Sequence, residues 1–282
     1  MLITERSASG TSIVTDEMRK QFREDGVVVL RGLLEPTWLQ MIDQGVLRNV
    51  KNPGPYQVRY YEGTDREFLM DMCNWFTIPE FRMLCSDSPL VDVIADLLDT
   101  QELRMFYDQI FVRDGSGGEK RMPWHQDTTW WVTAGMQICA VWMTNSVIPR
   151  DQALEFVRGS HLGPKYAGTM FDPANEVTPY YTGLTYDPLP DVQADREGFD
   201  IVAFDTEPGD AIVFHPQILH GGGASEGPRQ TLSIRMYGDD VTYAGHPGEP
   251  QPPNPGLAAT AKLGQPLRST WFPQIYPRRP FV

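Results

Sequence analysis

Residues 122 to 131, MPWHQDTTWW, place a histidine and an aspartate two positions apart. If this stretch is a β-strand, alternate side chains point to the same face, so His125 and Asp127 converge while Gln126 points away. An imidazole beside a carboxylate provides two of the three protein ligands of a facial triad. Because a lone His-x-Asp pair is more often structural, a metal site requires a third ligand from elsewhere in the chain.

The best third ligand lies in EPGDAIVFHPQILHGGGASEGPRQTLSIRMYG, residues 207 to 238. This segment predicts a turn, the buried strand AIVF and then His220, directly before three glycines. Glycines beside a ligand let the backbone and a small molecule approach closely. Two histidines and one carboxylate, with open positions opposite, are typical of non-heme Fe(II) oxygenases. We therefore predict that His125, Asp127 and His220 bind one metal ion.

The strand RQTLSIR that follows has an apolar back and a polar, cationic front, formed by Arg229, Thr231, Ser233 and Arg235. A buried arginine needs an anion, and a carboxylate that accepts two hydrogen bonds suits it. The two arginines are about 20 Å apart along an extended strand, so we expect only one of them to reach the surroundings of the metal. Arg229 is nearer to His220 and is the predicted anion-binding residue.

The bulk composition argues against several classes of function. The chain has 282 residues and a formal net charge of −13, which disfavours binding to nucleic acid or to an anionic membrane surface. Its three cysteines include no CxxC pair, so neither a zinc ribbon nor a disulfide framework is expected. No apolar run has the length of a signal peptide or a membrane span. A cytoplasmic protein, monomeric or homodimeric, that acts on a small molecule is the simplest expectation.

The character of the sequence changes near residue 101. Before it, helices are predicted in TDEMRKQFREDG, EPTWLQMIDQGVLRNV, PEFRMLCSD and SPLVDVIADLLDT, with VVVL as a short strand. After it, strands are predicted in ELRMFYDQIFVRD, QICAVWMTN, ALEFV, DAIVFH and RQTLSIRMYG. Helices followed by many short strands favour one α+β domain built on a sandwich or barrel.

We predict a single domain over residues 1–282, with a helical N-terminal part (1–100), a β core (about 101–245) and a proline-rich tail (246–282). The tail is expected to wrap the surface or a neighbouring subunit, with His246 in solvent. The aperiodic stretch 162–200 is predicted to be a functional or lid-like loop, because long loops in compact domains are seldom inert.

The chain also resembles the phytanoyl-CoA dioxygenase family of Fe(II)/2-oxoglutarate-dependent oxygenases. The pieces that carry the resemblance occur in family order over roughly residues 20 to 240. They are FREDGVVVLRGLL (22–34), YDQIFVRDG (107–115), PWHQD (123–127), ALEFVRGSH (153–161), EPGDAIVFHPQILHGG (207–222) and RQTLSIRMYGDD (229–240). No single piece is decisive, but their joint order and spacing are specific.

The resemblance implies a double-stranded β-helix (jelly-roll, cupin-like) core with the N-terminal helices packed on the larger sheet. It implies Fe(II) on His125, Asp127 and His220, with 2-oxoglutarate and O2 as co-substrates and the distal carboxylate of 2-oxoglutarate on Arg229. The implied reaction is hydroxylation of an unactivated C–H bond of a small organic substrate, coupled to decarboxylation of 2-oxoglutarate to succinate and CO2. Residues expected around the co-substrate or substrate are Tyr107, Gln109, Trp142 and Thr231.

The sequence departs from the family pattern at a few positions. Many members carry a hydroxyl two residues after the distal histidine, where this chain has Gly222, and Ser225 or Thr231 are the candidates to replace it. Asp127 is retained, which argues against halogenation. Trp130, Trp131 and Gln126 are the candidates for the wall of a substrate pocket, although tryptophan is more often a packing residue.

Other functions stay open from the sequence alone. The same iron chemistry gives desaturation, cyclisation or epimerisation in some natural-product pathways. A hydrolase or cupin-like protein with zinc or another metal on the same triad would leave Arg229 unexplained. A β-barrel binding module without oxygenase activity would be expected to have lost a triad position, and none is lost.

Overall fold

The computed structural model describes residues 13–113, 121–168, 186–223, 227–246 and 248–278. Within these ranges the helices are α1 Asp16–Asp25, α2 Pro36–Lys51, α3 Pro79–Asp87, α4 Leu90–Leu97 and α5 Leu257–Thr260. The strands are β1 Val27–Leu30, β2 Val58–Tyr60, β3 Phe68–Met72, β4 Leu103–Arg113, β5 Met122–His125, β6 Thr133–Ala134, β7 Ile138–Thr144, β8 Leu154–Val157, β9 Ile201–Ala203, β10 Ala211–Phe214, β11 His220–Gly222, β12 Arg229–Tyr237, β13 Thr242–Tyr243 and β14 Gln274–Tyr276. None of these helices is long and apolar enough to cross a membrane.

The first helix begins and ends where its sequence signals predict. The Thr15 hydroxyl accepts a hydrogen bond from the backbone N–H of Met18 (3.2 Å) and so satisfies one of the free donors of the first turn. Gly26 ends α1 with φ +80, and a Cβ at this position would lie 2.4 Å from Nδ1 of His161. Glycine is therefore required here both by the backbone conformation and by the close approach of the His161 ring.

Two antiparallel sheets form the framework of the fold. The larger sheet has the order β1-β10-β7-β12-β4-β3-β2, with β14 also paired to β4, and the smaller sheet has the order β5-β11-β8-β9. Apolar side chains from both sheets, including Trp142, Phe156 and Phe214, pack between them. This arrangement confirms the predicted α+β fold with a jelly-roll core.

The helices cover the outer face of the larger sheet, as predicted. Phe22 of α1, Leu39 of α2 and Phe81 of α3 belong to the same buried cluster as Leu232 and Ile234 of β12. The alternation in β12 thus turns its apolar side chains towards the helices and its polar side chains towards the smaller sheet. This face of β12 becomes part of the site described below.

The division at residue 101 does not coincide with a structural boundary. Strands β2 and β3 lie within the part predicted to be helical, and β14 lies within the proline-rich tail, yet all three belong to the larger sheet. The β3 sequence, FLMDM, has no β-branched residue and a weak strand signal. It is extended because it pairs with the long strand β4, with Phe68 opposite Arg113 and Met72 opposite Gln109.

We predict that His215 makes the stability of the metal-free protein depend on pH. Burial, together with the neighbouring His161, lowers the pKa of His215 from 6.5 to about 3, and its Nδ1 accepts a hydrogen bond from the Gln217 N–H. As pH falls below 6.5, the unfolded chain binds a proton that the folded chain does not, so folding is destabilised. Between pH 7 and pH 5 this costs about 2 kcal/mol.

Urea unfolding at pH 7 and pH 5 measures the effect. His215→Asn retains an acceptor but cannot titrate, so the variant should lose less stability on acidification than the wild type, by about that amount. An equal loss of stability in the two proteins would contradict the prediction.

Candidate metal centre and adjoining cavity

Strand pairing in the smaller sheet brings two histidines together. Residue His220 of β11 lies directly opposite His125 of β5, and the centroids of the two imidazole rings are 4.1 Å apart. The glycine run after His220 permits this pairing, since a Cβ at Gly221 would lie 2.9 Å from the carbonyl oxygen of Met122. The sequence HGG therefore serves to let β11 and β5 approach closely.

Asp127 joins the two histidines from a turn and not from a strand. β5 ends at His125, earlier than predicted, and Asp127 begins a short 3-10 turn that ends at Trp130. Gln126 is nevertheless extended (φ −122, ψ 126), so the alternation predicted for His125 and Asp127 is retained. The Oδ1 atom of Asp127 lies 3.5 Å from Nε2 of His125 and 3.9 Å from Nε2 of His220.

The orientation of both imidazoles suits a metal ligand. Nδ1 of His125 is 2.8 Å from the carbonyl oxygen of Pro123, and Nδ1 of His220 is 2.9 Å from that of Ile218. A carbonyl oxygen only accepts, so Nδ1 carries the proton and the Nε2 lone pair faces Asp127. Ligand atoms on adjacent positions of an octahedral ion are about 3 Å apart. A small contraction of the observed group would therefore accommodate a divalent cation.

The electrostatics also favour a cation. Burial opposes ionisation of Asp127, but the adjacent His125 and the positive charge of Arg235 hold the pKa of this carboxyl well below its usual range. Burial and the neighbouring His125 lower the pKa of His220 to about 3. At neutral pH the site consequently presents an ionised carboxylate and a neutral His220 imidazole, which are the forms that bind metals.

A cavity of about 320 Å³ opens beside the three side chains. The polar face of β12 lines it along the whole strand, as the alternation predicts, with Arg229, Thr231, Ser233 and Arg235. Ser233 lies between Gln109 of β4 and Trp142 of β7. The cavity is also lined by five further residues that were predicted to lie near the co-substrate or substrate, namely Tyr107, Gln109, Trp130, Trp131 and Trp142.

Two guanidinium groups lie together at one end of the cavity. Arg229 is opposite Arg113 across β12 and β4. Nη1 of each donates a hydrogen bond to the carbonyl oxygen of Gly223, at 3.2 and 3.1 Å, and Arg229 also donates to that of Gln152 (3.2 Å). Both side chains are buried. This part of the cavity therefore contains two guanidinium groups and is suited to an anion.

The prediction that only one of the two β12 arginines reaches the metal site is wrong. Nη2 of Arg235 lies 3.4 Å from Oδ2 of Asp127, while Arg229 lines the same cavity. Because the side chains of β12 from Arg229 to Arg235 line one cavity, their separation along the strand excludes neither. Distance along the strand was a poor measure of distance from the site.

Gln126 does not line the cavity, contrary to the prediction. Its Nε2 donates hydrogen bonds to the carbonyl oxygens of Pro164 (3.1 Å) and Gln217 (2.8 Å), and its Oε1 accepts one from the Tyr166 N–H (2.8 Å). The alternation that points Asp127 inward points Gln126 outward. Gln126 thus anchors the beginning of the loop 162–200, of which residues 169–185 lie outside the described ranges.

Two further walls of the cavity were not predicted from the sequence. Strands β2 and β3 contribute Tyr60, Met70 and Met72, and the tail contributes Gln251. Alternation in FLMDM places Met70 and Met72 on one face, but nothing in the sequence pairs this strand with β4. The apolar walls therefore come from elements whose position depends on tertiary pairing.

The tail also supports the turn that carries Asp127. The N–H of Gln251 donates a hydrogen bond to the carbonyl oxygen of Trp130 (2.9 Å). Nε2 of His246 lies 3.0 Å from the carbonyl oxygen of Thr129. His246 is half-buried, so the prediction that it is solvated is wrong. The tail therefore packs against the turn that follows Asp127, next to the three candidate metal ligands.

Comparisons with known proteins agree with this geometry. The model of the phytanoyl-CoA dioxygenase (PhyH) family matches residues 22–231. A probable phytanoyl-CoA dioxygenase of Caenorhabditis elegans is 27% identical over an alignment of 172 residues, which covers 56% of this chain and 50% of that protein. The match thus spans about half the length of this curated relative.

Solved structures of similar fold include enzymes that depend on 2-oxoglutarate. The carbocyclase SnoK from nogalamycin biosynthesis superposes with a TM-score of 0.68 at 20% identity, over 93% of this chain and 96% of that chain. The epimerase SnoN, solved in complex with Fe3+, α-ketoglutarate and nogalamycin RO, superposes with a TM-score of 0.66 at 18% identity, over 92% of this chain and 98% of that chain. EctD from S. alaskensis, solved with 2-oxoglutarate and 5-hydroxyectoine, superposes with a TM-score of 0.62 at 18% identity, over 90% of this chain and 86% of that chain. At these identities the likeness shows the fold.

Proposed function

The chain belongs to the phytanoyl-CoA dioxygenase family, and from this premise we propose that it is an Fe(II)/2-oxoglutarate-dependent dioxygenase that hydroxylates an unactivated C–H bond of a small organic substrate. One observation carries the proposal. The ligand atoms of His125, Asp127 and His220 lie within 4.8 Å of one another, beside a cavity that Arg229 and Arg235 also line.

These three side chains would hold ferrous iron, because two neutral imidazoles and one carboxylate that leave open positions are the donor set of non-heme iron oxygenases. When bound, the iron would activate O2 and couple decarboxylation of 2-oxoglutarate to oxidation of the substrate. The carbonyl oxygens of Pro123 and Ile218 fix the histidine tautomers, so both Nε2 atoms are presented without a proton.

We propose that 2-oxoglutarate occupies the end of the cavity that contains Arg229. The guanidinium would bind the distal carboxylate through two charge-assisted hydrogen bonds. Its bond to the carbonyl oxygen of Gly223, three residues after His220, keeps it close to the triad. Thr231, the next inward-facing residue of β12, would hydrogen-bond the same carboxylate, and Gln109 and Trp142 would border the co-substrate.

The remaining walls would receive the substrate and exclude water. Trp130 and Trp131 extend the cavity next to Asp127, and Met70 and Met72 form an apolar side. Such walls favour an apolar or amphipathic body. Since the tail residue Gln251 lines the cavity as well, we propose that residues 1–282 act as one domain.

The reaction outcome can be tested directly. The protein is supplied with Fe(II), 2-oxoglutarate and isotopically labelled dioxygen and screened against small metabolites by succinate release. We expect a substrate that stimulates succinate formation and gives an alcohol containing one labelled oxygen atom. Desaturation, cyclisation or epimerisation would give stoichiometric succinate with an unlabelled product, and this result would contradict the assignment as a hydroxylase.

A further inference from the structure

Two buried donors in the cavity have no hydrogen-bond partner. Within the part of the chain that the structure describes, Nε of Arg235 and Oγ of Ser233 are both unpaired, although the two residues are only 4% and 1% exposed. Both residues line the cavity. Buried polar groups are almost always satisfied, and leaving a charged one unsatisfied is especially unfavourable. Unpaired donors at this position therefore point to a ligand that accepts hydrogen bonds.

The charge of Arg235 leads to the same inference. Asp127 is the only acidic residue among the described residues that line the cavity. Its Oδ1 faces the two histidines and its Oδ2 faces Arg235. If Asp127 ligates iron, the metal offsets its negative charge, so Asp127 no longer neutralises Arg235. In the proposed function 2-oxoglutarate is bound by Arg229, six residues before Arg235 on β12. A buried guanidinium without a counter-ion remains beside the metal site.

The guanidinium of Arg235 is also held in a fixed orientation. Its Cζ lies 4.7 Å from the centroid of the Tyr107 ring, and its Nη1 lies 3.3 Å from the carbonyl oxygen of Ser233. Stacking on Tyr107 and the contact with the strand restrict rotation of the side chain. An arginine that is already oriented loses little entropy when it binds a planar anion.

We propose that the primary substrate carries a carboxylate, which Arg235 and Ser233 bind, and an apolar body that lies against the methionine and tryptophan walls. The inference rests on the proposed function and specifies its substrate class. In this proposal Arg235 determines substrate specificity, and its role is not limited to supporting Asp127. A residue that only supports Asp127 would use the contact with Oδ2 and would not distinguish acids from neutral molecules.

Binding of matched acids and amides tests the proposal. The anaerobic protein is saturated with Fe(II) and 2-oxoglutarate, so that the Arg229 end is filled. It is then titrated by calorimetry with hexanoate, 4-phenylbutanoate and 3-indolepropanoate and with the corresponding primary amides. We expect at least one acid to bind about tenfold more tightly than its amide, since hydrogen bonds to charged groups are stronger than neutral ones. No acid binding better than its amide would overturn the proposal, whether or not the amides bind.

Variants assign the preference to Arg235. Arg235→Gln should reduce the preference for the acid to less than about threefold while retaining the visible Fe(II)·2-oxoglutarate band. Arg158→Gln is the matched control, because Arg158 is an exposed arginine near Asp25 and Asp200 and does not line the cavity. A preference that survives in Arg235→Gln would overturn the proposal.

The charge-retaining variant Arg235→Lys covers the case in which Arg235→Gln loses the band. If Arg235→Lys keeps both the band and a preference for acids, the proposal stands. If it loses the band too, Arg235 serves Asp127 and the proposal fails. A wild-type protein without the band would contradict the proposed function, whereas a normal band without a preference for acids would contradict this inference alone.

Discussion

Asp127→Ala is expected to lower 2-oxoglutarate turnover by more than about a hundredfold, because loss of even an outer-shell partner of a metal ligand costs ten- to a hundredfold. The substitution removes the only carboxylate of the triad, whose Oδ1 lies 3.5 Å from His125 Nε2 and 3.9 Å from His220 Nε2. It also leaves the buried guanidinium of Arg235 without the carboxylate that it contacts at 3.4 Å. Iron affinity should therefore fall together with activity.

Metal content after anaerobic reconstitution and succinate release measure the two effects. Asp200→Ala is a matched control, since this exposed aspartate contacts Arg158 on the surface and should leave both quantities unchanged. Turnover within a few-fold of the wild type in Asp127→Ala would show that this carboxylate does not hold the metal.

Arg229→Gln is expected to weaken 2-oxoglutarate binding by about ten- to a hundredfold while leaving iron binding intact. A charge-assisted hydrogen-bonded pair contributes about 1.5–3 kcal/mol, and the guanidinium donates to the carbonyl oxygens of Gln152 and Gly223, neither of which is a predicted metal ligand. The buried Arg113, which shares the Gly223 carbonyl oxygen with Arg229, is expected to retain part of the affinity.

Titration of the iron-loaded protein with 2-oxoglutarate gives the affinity, and metal content gives the control within the same sample. Arg158→Gln tests the same chemical change outside the cavity. An unchanged affinity for 2-oxoglutarate in Arg229→Gln would contradict the role assigned to this arginine.

The triad could be predicted because its geometry is largely local. The i, i+2 relation between His125 and Asp127 survives the end of β5, since Gln126 remains extended. The glycines after His220 indicate a close approach of strands, and β11 indeed pairs with β5. Alternation likewise predicted the inward face of β12. These features depend on backbone periodicity, which the sequence shows directly.

The role of Arg235 and the apolar walls could not be predicted in the same way. Spacing along β12 gives the distance between its two arginines but does not show that the cavity extends beside the whole strand. Strand β3 is extended because it pairs with β4, and Gln251 reaches the cavity through contacts of the tail with Trp130. Each of these positions is set by residues far apart in sequence, and local patterns carry no information about them.

We propose that His125, Asp127 and His220 hold iron in a cavity that also binds 2-oxoglutarate. Anaerobic addition of Fe(II) and 2-oxoglutarate to the protein tests it most directly, by the weak visible charge-transfer band of a bidentate complex. We expect this band to appear in the wild type and to be absent in Asp127→Ala and His220→Ala. No band in the wild type, or an unchanged band in either variant, would contradict it.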